Sequence, residues 1–303
     1  MTHLIAIKSF VLNEMSSQVK TLKVGDVNVF YREAGNVSKP HVVLLHGFPS
    51  SSHQFRHLIP LLSKSYHVVA PDLPGFGFTE YPEGHKPTFA GIAKVIGDFL
   101  SALKITEFAV YVFDYGAPTA WRIALTRPDL KIKAIVSQNG NAYDEGFGAE
   151  FWAPIRAAWT KDNEKAKAVL REVALSLQFT TMQYQAGVPE NKVHQIEPEA
   201  YHLDYALFSL PGRKEAQVDL FVDYQTNVDI YPDIQKYFRE TQTPTLAIWG
   251  KGDPCFIAPG AEAFKKDNKN AVVKLLDTGH FALETDVDVI GSEILKFFSE
   301  NGF

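Results

Sequence analysis

FAVYVFDYGAP, residues 108–118, is an apolar run that stops at Asp114, turns through Tyr115-Gly116 and continues into residues suited to a helix. Such a run, rich in β-branched and aromatic residues, reads as a strand buried on both faces. A strand that turns sharply into a helix around one polar residue presents that residue at the strand's carboxyl end, where open α/β sheets bind ligands.

The same design recurs on either side. HVVLLHG (41–47), YHVVAPDLPG (66–75), IKAIVSQNG (132–140), PTLAIWGKGD (244–253) and VVKLLDTGH (272–280) are apolar runs that end in glycine or polar residues. Upstream, VKTLKVGD (19–26) and VNVFYREAG (27–35) alternate apolar and polar residues about Gly25-Asp26, the pattern of an antiparallel hairpin. Residues 54–64, 88–103 and 117–127 have helical periodicity. Strands alternating with helices imply an α/β fold: a mostly parallel, eight-stranded sheet with helices on both faces.

One long segment departs from this rhythm. Residues 140–241 contain amphipathic stretches, FWAPIRAAW (151–159), KAKAVLREVALSLQF (165–179) and QVDLFVDYQTNV (217–228), but no strand-like run. The expected organisation is a core of residues 1–139 and 242–303, interrupted by a helical cap over residues 140–241.

Composition narrows the function classes. The chain has 303 residues, 46% hydrophobic and 21% charged, with a net charge of −5 and mixed signs along its length. It has no basic stripe, so nucleic acid is not an expected partner. Cys255 is the single cysteine, which excludes an intramolecular disulfide and fits a cytoplasmic location. No apolar run approaches the roughly 20 residues that span a bilayer. The opening MTHLIAIKSFVLNEMSSQ lacks a basic n-region and a small-residue cleavage site, and reads as an untargeted leader. GFGFTE (75–80) lacks the third glycine of a dinucleotide loop, and no HExxH, CxxC or Walker motif is present. Neither a metal nor a cofactor is expected.

Four strand ends carry reactive residues: His46-Gly47-Phe48-Pro49, Asp114-Tyr115-Gly116, Asp253 and His280. A nucleophile, an acid and a histidine in that chain order follow triad logic. Aspartate before a helix is also a common cap, but a cap requires none of the other three. His3, His53, His85, His194 and His202 read as surface or packing histidines.

Taken in order, LLHGFP (44–49), DLPGFG (72–77), VFDYGAP (112–118), GKGDP (250–254) and TGHFALE (278–284) resemble the α/β-hydrolase superfamily over nearly the whole chain. The usual elbow there is G-x-S-x-G; here residues 112–116 read V-F-D-Y-G, with Asp114 in the serine's place and Val112 in the first glycine's. This resembles the carboxylate-nucleophile branch, which includes epoxide hydrolases and haloalkane dehalogenases. HGFP is most similar to the epoxide hydrolase form. The resemblance implies Asp114 as nucleophile, His280 as base, Asp253 as its partner, and the N–H groups of Phe48 and Tyr115 as the oxyanion hole. Gln138 ends the strand where some members keep the acid, so the acid falls to Asp253. His46 is expected to hold the loop beneath Phe48.

A carboxylate attacking an ester carbonyl yields a mixed anhydride, whereas attack at an sp³ carbon yields an ordinary alkyl ester. The expected chemistry is therefore displacement at carbon, followed by hydrolysis with water activated by His280. Epoxide opening needs a proton donor, for which Tyr224 is the first candidate in the cap and Tyr143 the second; Trp152 and Trp159 are further candidates to face the pocket. Haloalkane dehalogenases typically carry tryptophan after the nucleophile, and fluoroacetate dehalogenases arginine; here Tyr115 stands there. The expected partners are a small apolar epoxide or halide substrate and water, with a homodimer left open. Alternatives are a dehalogenase, an esterase or lactonase, and a non-catalytic ligand-binding protein on this fold.

Overall fold

The computed structural model describes residues 17–303 apart from 83, 85, 161 and 162. The leader reading of the N-terminus and the assignments of His3 and His85 lie outside the described residues. Eight strands form one sheet: β1 (Gln18–Val24), β2 (Val27–Ala34), β3 (His41–Leu45), β4 (His67–Pro71), β5 (Glu107–Phe113), β6 (Lys131–Gln138), β7 (Thr245–Gly250) and β8 (Ala271–Leu276). Their order is β1-β2-β4-β3-β5-β6-β7-β8. β2 pairs antiparallel with β1 and with β4, and every later pairing is parallel. The β1–β2 hairpin turns at Gly25, whose φ of +57° suits a residue without a Cβ.

The central strands are apolar throughout because both faces are covered. On one face Val110, Val112 and Trp249 pack against Ile96 and Phe99 of α2 (Phe89–Ala102) and Trp121 of α3 (Gly116–Thr126). On the other, Tyr111, Phe113 and Ile248 meet Phe55, Leu62 of α1 (Ile59–Leu62), and Ile294 of the C-terminal helix Leu283–Glu300. Full burial of one such side chain contributes about 1.5–3 kcal/mol. β8 differs from the expected doubly covered strand. It is the sheet edge, and Val272 and Leu275 each remain 43% exposed. The helix expected over 54–64 is a 3-10 turn, Ser52–Phe55, followed by the short α1.

Between β6 and β7 the described residues form helices: α4 (Ala149–Ala157), α5 (Glu164–Val169), α6 (Leu177–Gln185), α7 (Pro198–Phe208), α8 (Arg213–Asp223), α9 (Gln225–Asp229) and α10 (Tyr231–Thr241). The stretch 165–179 is not one helix. A π-turn at Leu170–Ala174 ends it, and Ser176 starts α6 by accepting a 3.1 Å hydrogen bond from Phe179 N–H. The stretch 217–228 is likewise interrupted at Tyr224, between α8 and α9. Among the described residues no helix is long and apolar enough to cross a membrane.

Candidate active site

The register of β3, β5 and β6 brings their carboxyl ends together: Leu45 lies opposite Val112, and Phe113 opposite Gln138. Asp114 follows β5 with φ +46°, a left-handed conformation that costs a non-glycine residue about 1–2 kcal/mol. The bend is held because neighbouring backbones pass very close. A Cβ on Gly116 would meet Leu45 O at 2.2 Å, and one on Gly47 would meet Asp114 Oδ1 at 2.3 Å. Val112 is tolerated where the family elbow has glycine because Gly140 leaves the space: a Cβ there would lie 3.0 Å from Val112 Cγ2.

Asp114 is buried, with 4% exposure. Phe48 N–H donates to its Oδ1 at 2.6 Å, and Tyr115 N–H also bonds the carboxylate. Burial pushes its pKa up to about 6, against the pull of His280 and the two N–H donors and with some help from Asp253. One oxygen is thus fixed by backbone donors on a carboxylate that still ionises near neutrality.

His280 and Asp253 meet as a buried pair, Nδ1 to Oδ2 at 2.6 Å. Burial opposes charge on the imidazole, but Asp253, through its charge and this hydrogen bond, together with Asp114 raises the pKa overall. His280 Nε2 is buried and has no hydrogen-bond partner among the described residues. Asp253 has further donors: Oδ1 accepts from Cys255 N–H at 2.7 Å, and Oδ2, the oxygen shared with His280, also accepts from Asn139 Nδ2 at 2.7 Å.

Asn139 is a site residue that the sequence reading missed. At φ +50° just past β6, it also exchanges hydrogen bonds with the N–H and C=O of Gly250. Gln138 is the neighbouring brace: its Nε2 donates to His280 O at 2.9 Å and to Asn139 Oδ1 at 2.6 Å. His46 Nδ1 meets Gly47 O at 3.1 Å, and its Nε2 accepts from Leu73 N–H at 2.9 Å, which ties the Phe48 loop to the end of β4. His53 is half-buried, His194 and His202 are exposed, and none of the three lines the cavity described next.

A cavity of about 170 Å³ opens above Asp114 and is walled by Phe48, Tyr115, Trp152, Phe221 and side chains of α4 to α6. Trp152 lines it, as expected, but its Nε1–H donates to Cys255 O at 2.9 Å. Two expectations require correction. Trp159 is not in the lining, because its Nε1–H is held by Phe221 O at 2.9 Å. Tyr143 packs edge-on against Phe264, centroids 5.3 Å apart, where burial and then the nearby Asp267 keep its phenol protonated, away from the cavity. Tyr224 adjoins the lining without being part of it: its ring lies 5.7 Å from that of Tyr115 and 4.6 Å from that of Trp152, it feels the charge of Asp114, and its hydroxyl is hydrogen-bonded to that of Tyr231. Two polar cavity residues are missed in the sequence: Glu150 on α4, which is exposed, and Gln183 on α6, which is 5% exposed, with Nε2 unpartnered among the described residues.

Residues 40–287 match the model of the alpha/beta hydrolase fold family. The chain is 46% identical over 278 residues to the uncharacterized hydrolase YNR064C of Saccharomyces cerevisiae, covering 91% of this chain and 94% of the yeast protein. Mouse epoxide hydrolase 4 is 25% identical over 92% of this chain and 78% of its own length. Among solved structures, haloalkane dehalogenase DbeA from Bradyrhizobium elkani superposes with a TM-score of 0.78 at 19% identity, over 95% of this chain and 99% of that one.

Proposed function

The chain belongs to the alpha/beta hydrolase fold family, and on that premise we propose that it hydrolyses small, largely apolar epoxides to vicinal diols through an ester on Asp114. The observation that carries the reading is the Phe48 N–H bond to Asp114 Oδ1, on a carboxylate that shares its buried site with the His280–Asp253 pair. In the first step the free carboxylate oxygen attacks an epoxide carbon. The C–O bond to the ring oxygen breaks, and that oxygen takes a proton. In the second step His280 Nε2 removes a proton from water, the hydroxide adds to the Asp114 carbonyl carbon, and the ester C–O bond breaks, the leaving oxygen taking the proton from the His280 imidazolium to release the diol. The Phe48 and Tyr115 N–H groups stabilise the oxyanion; removing one such donor typically costs about 10²–10³ in rate. Asp253 holds the Nδ1 tautomer and balances the imidazolium.

The helices between β6 and β7 serve in this reading as the lid that closes over the substrate and keeps bulk water away while one water reaches His280. Proton delivery to the epoxide oxygen falls to the Tyr224–Tyr231 pair. When Tyr224 turns its hydroxyl to the substrate, Tyr231 can donate back to it while still accepting from Asn141 Nδ2. Mouse epoxide hydrolase 4, similar over most of the chain, agrees with this substrate class.

The indoles argue against halide as leaving group. All four tryptophan N–H groups are occupied by backbone carbonyls, Trp121 by Asn141, Trp152 by Cys255, Trp159 by Phe221 and Trp249 by Phe256. None is free to hold a departing anion.

The test is covalent trapping. His280→Gln incubated with styrene oxide is expected to gain the mass of one substrate, on a peptide containing Asp114, and Asp114→Asn is expected to gain none. An unmodified His280→Gln protein across a panel of epoxides contradicts the proposal, and halide release from haloalkanes with the same adduct moves it to dehalogenation.

A further inference from the structure

Gln183 has no part in the mechanism above, yet its surroundings are built with care. It sits on α6, whose C-terminal end rests directly on the loops of Asp253 and His280. A Cβ on Gly252 would meet Gly187 O at 2.3 Å, and one on Gly279 would meet Ala186 O at 2.1 Å. The next residue, Tyr184, stacks on Phe281, centroids 3.7 Å apart and planes 6° apart, and Phe281 adjoins the His280 ring at 5.2 Å. These contacts anchor the end of the helix, and the Gln183 side chain lines the cavity. The wall it shares is mostly apolar, with Phe179, Trp152 and Leu170; its charged members are Asp114 and the exposed Glu150.

A buried amide N–H without an acceptor is destabilising, and such groups are rare in folded chains. A leucine or methionine would fill this position without that penalty. The amide is also a poor candidate for the chemical step, since a neutral carboxamide does not release a proton to an alkoxide. What remains for it is recognition.

We infer that Gln183 is a specificity residue whose Nε2–H binds a hydrogen-bond acceptor on the substrate beyond the reacting ring. This rests on the epoxide reading, and it narrows the substrate class to epoxides carrying an ether or carbonyl oxygen, in preference to hydrocarbon epoxides of the same length. A site that hydrogen-bonds a substrate group rejects the analogue lacking it, because its own polar group is left unpaired.

The test compares butyl glycidyl ether with epoxyoctane, which differ by one oxygen for one methylene. The ratio of their kcat/KM values in the wild-type chain is expected to fall about tenfold in Gln183→Met. A ratio that moves by less than about twofold, or two values that fall together, overturns the assignment. A second arm needs no turnover: calorimetry with acetophenone and α-methylstyrene, a carbonyl and an alkene of like shape. The wild-type chain is expected to bind the ketone about tenfold more tightly, and Gln183→Met to lose that preference. Equal affinities in the wild-type chain contradict the inference. Should the methionine variant fail to fold, Gln183→Leu also removes the amide donor and puts no polar group in its place, and the same losses are expected. A chain that turns over no epoxide but keeps the ketone preference, and loses it in the variant, refutes the epoxide reading and leaves the role of Gln183 standing.

Discussion

Asp114→Asn is expected to make the folded chain more stable at neutral pH while abolishing ester formation. Burial above all raises the carboxyl pKa in the fold to about 6, against 3.8 for a free aspartate side chain. A folded-state pKa above the unfolded one means that the native chain binds the proton more tightly. The contribution of this group to stability is therefore fully present below about 3.8 and is lost as pH rises through 6. At about 1.4 kcal/mol per pH unit, ionisation costs up to about 3 kcal/mol above pH 6. Asparagine keeps an oxygen for the Phe48 N–H and carries no charge. It also removes the attraction that helps His280 hold a proton, which takes back part of the gain. The expected outcome in urea denaturation is a gain of about 1–3 kcal/mol near pH 8, shrinking to well under 1 kcal/mol near pH 4. A variant less stable than the wild-type chain near pH 8, or a gain of equal size at both pH values, refutes the reasoning.

The same titration sets the rate of the first step: single-turnover ester formation in the wild-type chain is expected to rise about tenfold between pH 5 and pH 7, and a flat profile excludes ionisation of Asp114 in that range. Asp253→Asn removes the anchor and counter-charge of His280, so ester hydrolysis is expected to slow by roughly 10²–10⁴ and the alkylated form to accumulate, as intact mass after rapid quenching can establish. Arg56 grips Glu284 through both guanidinium Nη atoms at 3.0 and 2.6 Å and also reaches Glu197, and the Glu284 side chain is only 2% exposed. Arg56→Met is expected to cost about 3–5 kcal/mol in denaturant, because it leaves that carboxylate unpaired, and Glu284→Gln in the same chain is expected to restore part of it.

The strands were legible because burial on both faces writes itself as uninterrupted apolar residues, as in HVVLLHG and FAVYVFDYG. β8 misled for the converse reason: VVKLLD is apolar enough to read as buried, yet its place at the edge comes from strand order, which no local pattern encodes. Asp114, His280 and Asp253 stood out because each closes a strand. Asn139 also follows a strand, but its work depends on a left-handed backbone and on Gly250 across the sheet, neither of which is visible along the chain. In the helical block the limits were greater. A helix surface does not say which tyrosine faces inward: Tyr143 is placed by Phe264, distant in sequence, and Tyr224 by Tyr231, across the break between two helices that the periodicity does not show. Gln183 sits among polar and apolar neighbours in LQFTTMQYQ with nothing to mark it as the buried one.

The central claim, that substrate passes through an ester on Asp114, is tested most directly by one turnover in heavy-oxygen water with enzyme in excess over styrene oxide. The account predicts an unlabelled first diol and heavy oxygen in the Asp114 carboxylate of the recovered protein. A first diol that carries the label, with the aspartate unlabelled, means that water attacks the epoxide directly and contradicts the account.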